Sequence, residues 1–241
     1  MRNIGVIFRR EFASYFNSPI AYIFIIVFLL LTGLLYMLNF FLVGQADMRG
    51  YFGSLPLLLT FFIPAVSMRL WAEDRRQGTF ELLMTLPMQP HEVMLGKYLA
   101  AFVFFAVTLA GSLPIPIMLN VLGNPDNGTV VSGYLGALLM GGLYLSVGIF
   151  TSGLMRDQIS AFILGVMACV IMWLLGQTFV AAVFDGWIDG LGSLLQQYLG
   201  MTSHFDPMLR GVVALGDLIY FLALSALFLV LNALWLEGRK Y

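Results

Sequence analysis

Uncharged apolar stretches of 18 or more residues recur six times along the chain, at residues 20–44, 51–68, 98–122, 130–155, 159–184 and 218–236. A hydrocarbon layer about 30 Å thick is crossed by about 20 helical residues rising 1.5 Å each. The pattern therefore predicts six membrane-spanning helices. Pro56 and Pro64 interrupt the second stretch, and Pro114 and Pro116 the third. Irregular backbone at membrane depth is tolerated only where protein or water covers it, so these prolines mark either a translocation path or packing kinks.

Ahead of the first stretch, Ile4, Phe8, Phe12, Tyr15 and Phe16 recur at helical spacing, with Arg9, Arg10 and Glu11 between them and Pro19 after Asn17-Ser18. This spacing predicts an interfacial amphipathic helix over residues 1–18 that turns into the membrane at the proline. The first stretch is too long for the apolar part of a signal peptide, and Phe40-Phe41-Leu42-Val43 offers no small-residue cleavage pattern, so a retained span is expected. Between the fifth and sixth stretches, residues 185–217 mix Trp187, Leu191, Leu194, Leu195, Tyr198 and Phe205 with glycines and acids. One or two short helices at the outer interface are expected there, as a lid over an exit path or as a packing plug.

The polar positions are concentrated between the second and third stretches. Residues 69–97 hold Arg69, Glu73, Asp74, Arg75, Arg76, Glu81, Glu92 and Lys97, eight of the chain's 25 charged residues, together with His91. Within them, Thr79-Phe80-Glu81-Leu82-Leu83-Met84-Thr85-Leu86 reads as a two-turn helix started after Gly78 and stopped by Pro87. Thr79 suits the N-cap, Glu81 suits the positive end of the helix dipole, and the residue before a proline is pushed out of the helical region. A helix this short is marginal alone. Its apolar set, Phe80, Leu82, Leu83 and Leu86, predicts docking against a partner, with Glu73, Asp74, Arg75 and Arg76 as rim charges; an ordinary solvated loop is the alternative.

Composition agrees with the pattern. The chain is 60% hydrophobic and 10% charged with mean hydropathy +0.91, whereas soluble domains carry about a quarter charged residues. An all-α polytopic membrane protein, a single transmembrane domain over residues 1–241, is expected. Placing both termini in the cytoplasm puts Arg2, Arg9, Arg10, Arg69, Arg75, Arg76, Lys97, Arg156, Arg239 and Lys240 inside, leaving Arg49 and Arg210 outside. That asymmetry fits the positive-inside rule.

Candidate chemistry is sparse. His91 and His204 fall on opposite predicted sides, Cys169 is the lone cysteine, and Gly96-Lys97 lacks the upstream glycine and the following Ser or Thr of a phosphate-binding loop. No metal, cofactor or catalytic residue is expected on this chain. The spans carry no ionisable residue at their centres, which argues against coupling to an ion gradient. In the second and fifth stretches, Phe61, Phe62, Ser67, Met167, Met172, Trp173, Gln177 and Thr178 would make an apolar pathway wall with few polar groups. A lipid or amphiphile suits such a wall, and so does plain helix packing.

Pro64-Ala65-Val66-Ser67-Met68-Arg69, the run Ala72-Glu73-Asp74-Arg75-Arg76-Gln77-Gly78-Thr79-Phe80-Glu81-Leu82-Leu83-Met84-Thr85-Leu86-Pro87, and Leu95-Gly96-Lys97 resemble the signature of ABC-2 type transporter permeases. Ser67 stands for the usual Thr and Asp74 for Glu. Asn17-Ser18-Pro19, Ser152 with Asp157-Gln158, His204-Phe205 and Arg210-Gly211 resemble the gliding-motility (GldF-like) branch. The resemblance implies an all-helical, type V exporter-like permease in the bacterial cytoplasmic membrane, with an N-terminal elbow helix and a coupling helix at Thr79–Leu86 seated in an ATP-binding cassette ATPase subunit. It implies that ATP and Mg are held by that partner and that a second permease copy completes the assembly. In the gliding-motility branch it also implies a membrane protein with a large extracytoplasmic domain; the other expected surroundings are lipid, not nucleic acid. Export or extraction of a substrate is the function implied, and transmission of ATP-driven displacement without solute movement is the alternative.

Overall fold

The computed structural model describes residues 2–44, 47–80, 88–123 and 125–238. These residues are helical, with no strand among them: α1 Arg2–Phe16, α2 Pro19–Val43, α3 Arg49–Ser67, α4 Arg69–Arg76, α5 Pro90–Ala110, α6 Pro114–Leu122, α7 Asn127–Leu154, α8 Gln158–Leu175, α9 Thr178–Asp185, α10 Leu191–Leu199, α11 Met201–Leu209 and α12 Leu215–Glu237. Six helical rods are long and apolar enough to cross a membrane: α2, α3 with α4, α5 with α6, α7, α8 and α12. Successive rods alternate in direction, so α1 starts and α12 stops at the same end of the bundle. We call this the terminal end and the opposite one the far end.

The axis of the bundle is α7. Its apolar positions run all round, as expected of a helix enclosed on every side, and Ala137, Met140, Leu143, Tyr144, Leu145 and Ile149 are fully buried. Small residues on α7 let its neighbours approach: Gly133 faces the Phe52 ring of α3, Gly141 the Phe105 ring of α5, and Gly148 the Ser67 hydroxyl at the end of α3. Small residues drive helix association in lipid, where apolar side chains gain nothing from leaving it. By contrast, α2, α8 and α12 bury only a minority of their side chains.

The predicted boundaries are corrected in three places. The fifth span does not continue to residue 184. It stops at Leu175, Gln177 is extended (φ −86°, ψ 135°), and α9 starts anew. The break coincides with a contact remote in sequence: Gly176 lies directly against Thr202 at the start of α11, leaving no room for a side chain. The third span starts earlier, at Pro90, and is interrupted by the turn at residues 111–113 before Pro114. The second runs past residue 68 into α4, bending at Met68, whose N–H still bonds the Pro64 carbonyl at 2.8 Å.

The amphipathic helix also differs from a simple surface anchor. It runs lengthwise beside the first half of α5, from Asn3–Glu92 (2.9 Å) through Glu11–Lys97 (2.9 Å) to the stacked rings of Tyr15 and Phe104 (4.7 Å). Gly96 makes this possible, because a Cβ there would lie 2.8 Å from Ile7. Ser18 is extended, and Pro19 supplies the fixed φ of a first helical residue, so the chain turns sharply into α2.

Candidate functional site

At the terminal end, α4 is fastened on one face and open on the other. Its inward face carries Leu70, Trp71, Ala72 and Asp74, all buried. The first-turn N–H groups that a helix leaves unsatisfied are taken up from outside: Trp71 and Ala72 donate to Ser152 Oγ at 3.1 and 3.3 Å, and that hydroxyl donates to Met68 O at 2.8 Å. Arg75 reciprocates by donating to the terminal α7 carbonyls, Met155 O at 2.7 Å and Gly153 O. Two helix ends thus satisfy each other. Ser152→Ala leaves two buried N–H groups unpaired and is expected to cost about 1–3 kcal/mol, read as a lower melting temperature of the purified chain.

Lys97 is the hub of the same region. Its ammonium, 3% exposed, lies 2.7 Å from Asp74 and 2.9 Å from Glu11, and 5.4 Å from the centre of the Trp71 ring. The Thr79 hydroxyl donates to the Asp74 carboxylate at 3.2 Å. One cation therefore ties α1, α4 and α5 together. Arg69 adds a further tie by stacking over the Tyr15 ring at 4.1 Å, and burial pushes the Tyr15 hydroxyl pKa up to about 12, so it stays a neutral donor to Val66 O.

The docking residues separate by face. Asp74 and Arg75, expected at the rim, turn inward to Lys97 and to the end of α7; this corrects their assignment, and the reason is the helical period that puts them beside Leu70 and Trp71. Glu73 and Arg76 lie on the outer side. Gly78 ends the α4 segment with φ +70°, a conformation that L side chains resist. Thr79 is half-buried, its hydroxyl donating to Asp74; the N–H groups it is expected to cap lie outside the described residues. Phe80 is also half-buried, edge-on to Trp71 at 5.9 Å and under the Arg75 guanidinium at 4.8 Å. The readings of Glu81, Leu82, Leu83, Thr85 and Leu86 lie outside the described residues. Lys97, Arg69 and Ser152 join the site through these contacts. The usable signal for Lys97 was a lone cation at the start of an apolar run, which requires a buried partner.

The expected pathway residues do not form one wall. Trp173, Gln177 and Thr178 line a far-end cavity of about 440 Å³ with Ser54, Pro56 and Gln196. Phe62 instead packs against Phe24 and Phe28 of α2, at 5.9 and 5.2 Å. Ser67 is buried against Gly148 and donates to Pro64 O, a packing role. Phe61 is exposed on the outer face of α3, whereas Met172 packs against the core; Met167 is exposed on α8. The far-end cavity is roofed by α10 and α11, where Gln196 reaches Gly176 O at 3.2 Å. Beside it, His204 Nδ1 lies 2.8 Å from the Asp217 carboxylate and its ring stacks on Tyr220.

The described residues form six rods long and apolar enough to cross a membrane, with a fastened helix at one end and a cavity at the other. No curated protein matches the chain. A family model described as ABC-2 family transporter protein matches residues 48–234, from the start of α3 almost to the end of α12. The chain belongs to the ABC-2 family of transporter proteins, as a multi-pass membrane subunit.

Proposed function

We propose that this chain is the permease through which a separate ATP-binding cassette ATPase drives export or extraction of a lipid or amphiphile. The observation that carries the reading is continuity: α3 joins the fastened α4 at the terminal end to the far-end cavity, which it walls with Ser54, Pro56 and Leu57. A push on α4 reaches α1 and α5 through Lys97, α7 through Ser152 and Arg75, and the cavity through α3. Displacement of packed rods is how such machines carry force over a membrane thickness.

In this reading the terminal end is cytoplasmic, ATP and Mg reside on the partner, and a second permease copy completes the pair. Segment 79–86 is the knob that the ATPase grips, while Glu73 and Arg76 on the outer face of α4 set its orientation more than its affinity. Phe80 serves as the root of that knob, anchored on Trp71. Asn17-Ser18-Pro19 and His204-Phe205 support placing the chain in the gliding-motility branch, with an accessory protein carrying a large extracytoplasmic domain. The far-end cavity favours solute movement over transmission of displacement alone.

The test is co-purification of the ATPase subunit with the tagged permease. Phe80→Ala and Leu83→Ala are each expected to reduce the recovered ATPase about tenfold or more, as removal of an interface anchor does; Leu83→Ala leaves the amount of permease unchanged, whereas Phe80→Ala also loses the Trp71 contact and lowers its melting temperature. Full recovery of the ATPase with both variants would defeat the docking reading.

A further inference from the structure

A second cavity, of about 250 Å³, opens at the terminal end where α1 turns into α2 and α3 bends into α4. Its mouth is polar. Arg69, Glu73 and Arg76, spaced on one face of α4, line it with Ser18 and Gln158. Its floor is apolar, with Ile20, Ala21, Phe24, Val66 and Phe104. Three of those floor residues, Phe24, Val66 and Phe104, also line a narrow crevice that continues between α2, α3 and α5 past Phe28 and Phe62. The only hydroxyl in that crevice, on Thr108, is already bonded to Phe104 O at 2.9 Å. A mouth with two cations and one acid thus opens onto an apolar floor.

We propose that this cavity holds a phospholipid, its phosphodiester on Arg69 and Arg76 and the start of one acyl chain against the apolar floor of Ile20, Ala21 and Phe24. The charge fits: neither guanidinium has an ion-pair partner among the described residues. The geometry fits as well. Arg69 spends its face, and one N–H contact, on Tyr15; its other N–H groups suit a phosphate. The Ser18 hydroxyl, which makes no capping bond to α2, supplies a neutral donor beside them. The site stands on these residues alone; only its assignment to the cytoplasmic leaflet rests on the orientation proposed above.

Native mass spectrometry of the full chain in detergent tests it, with palmitoyl-oleoyl phosphatidylglycerol, palmitoyl-oleoyl glycerol and inorganic phosphate as separate probes. The parent is expected to retain one phospholipid and neither of the other two. Arg69→Gln with Arg76→Gln is expected to weaken retention about tenfold or more. Because Arg69 also stacks on Tyr15, Arg76→Gln alone and Ala65→Trp, which fills the mouth with both arginines kept, are each expected to lower retention with the melting temperature unchanged. Equal retention by the double variant, equal retention of palmitoyl-oleoyl glycerol, or binding of phosphate without a lipid would overturn the proposal. The measurement needs no ATPase, so failure of docking and failure of this site are read separately.

Discussion

Lys97→Met is expected to lower the melting temperature of the detergent-solubilised chain by about 10 °C. The side chain is buried between Asp74 and Glu11, and removing one partner of a buried ion pair costs about 3–5 kcal/mol because the other charge is left without compensation. For a chain of this size each kcal/mol shifts the midpoint by about 2–4 °C. Asp74→Asn added to Lys97→Met is expected to recover much of the loss, because the remaining carboxylate, Glu11, is 17% exposed and reaches water. If the double variant melts lower than the single, the Asp74 contact is not the source of the effect. Differential scanning fluorimetry on the parent and the two variants decides the matter.

The second large effect is expected at Gly141, in the middle of α7. A Cβ built there clashes with the edge of the Phe105 ring of α5, and both residues are enclosed. Gly141→Val therefore forces the two helices apart or the ring off its rotamer, at about 1–3 kcal/mol or more. Phe105→Ala removes the obstacle at the cost of its own packing. The pair forms a double-mutant cycle with an expected favourable coupling of about 2 kcal/mol. Strictly additive losses would mean that α5 and α7 do not meet at this point.

The six rods were legible in the sequence because membrane solubility demands long apolar runs whatever the tertiary contacts. The position of the polar segment between the second and third spans was equally plain. Its division into faces was not. Leu70, Trp71, Asp74 and Arg75 share one side of α4 and Arg69, Glu73 and Arg76 another, yet charge alone grouped Asp74 and Arg75 with the solvent-facing residues. The break after Leu175 was also hidden. Gly176-Gln177 sits inside an apolar run, and the contact with Thr202 that coincides with the break comes from 26 residues further on. Of the pathway set, the three residues around that break do line a cavity, Phe62 and Ser67 pack on α2 and α7, partners that no local pattern names, Met172 packs on the core, and Phe61 and Met167 face outward.

The position of Lys97 in the chain also bears on how the protein is made. Glu11 and Asp74 are both synthesised before it. A cation that would burden an apolar helix on its own is thus neutralised entirely by acids that precede it in the chain, so the third span carries its balancing charges on α1 and α4 rather than on any later segment.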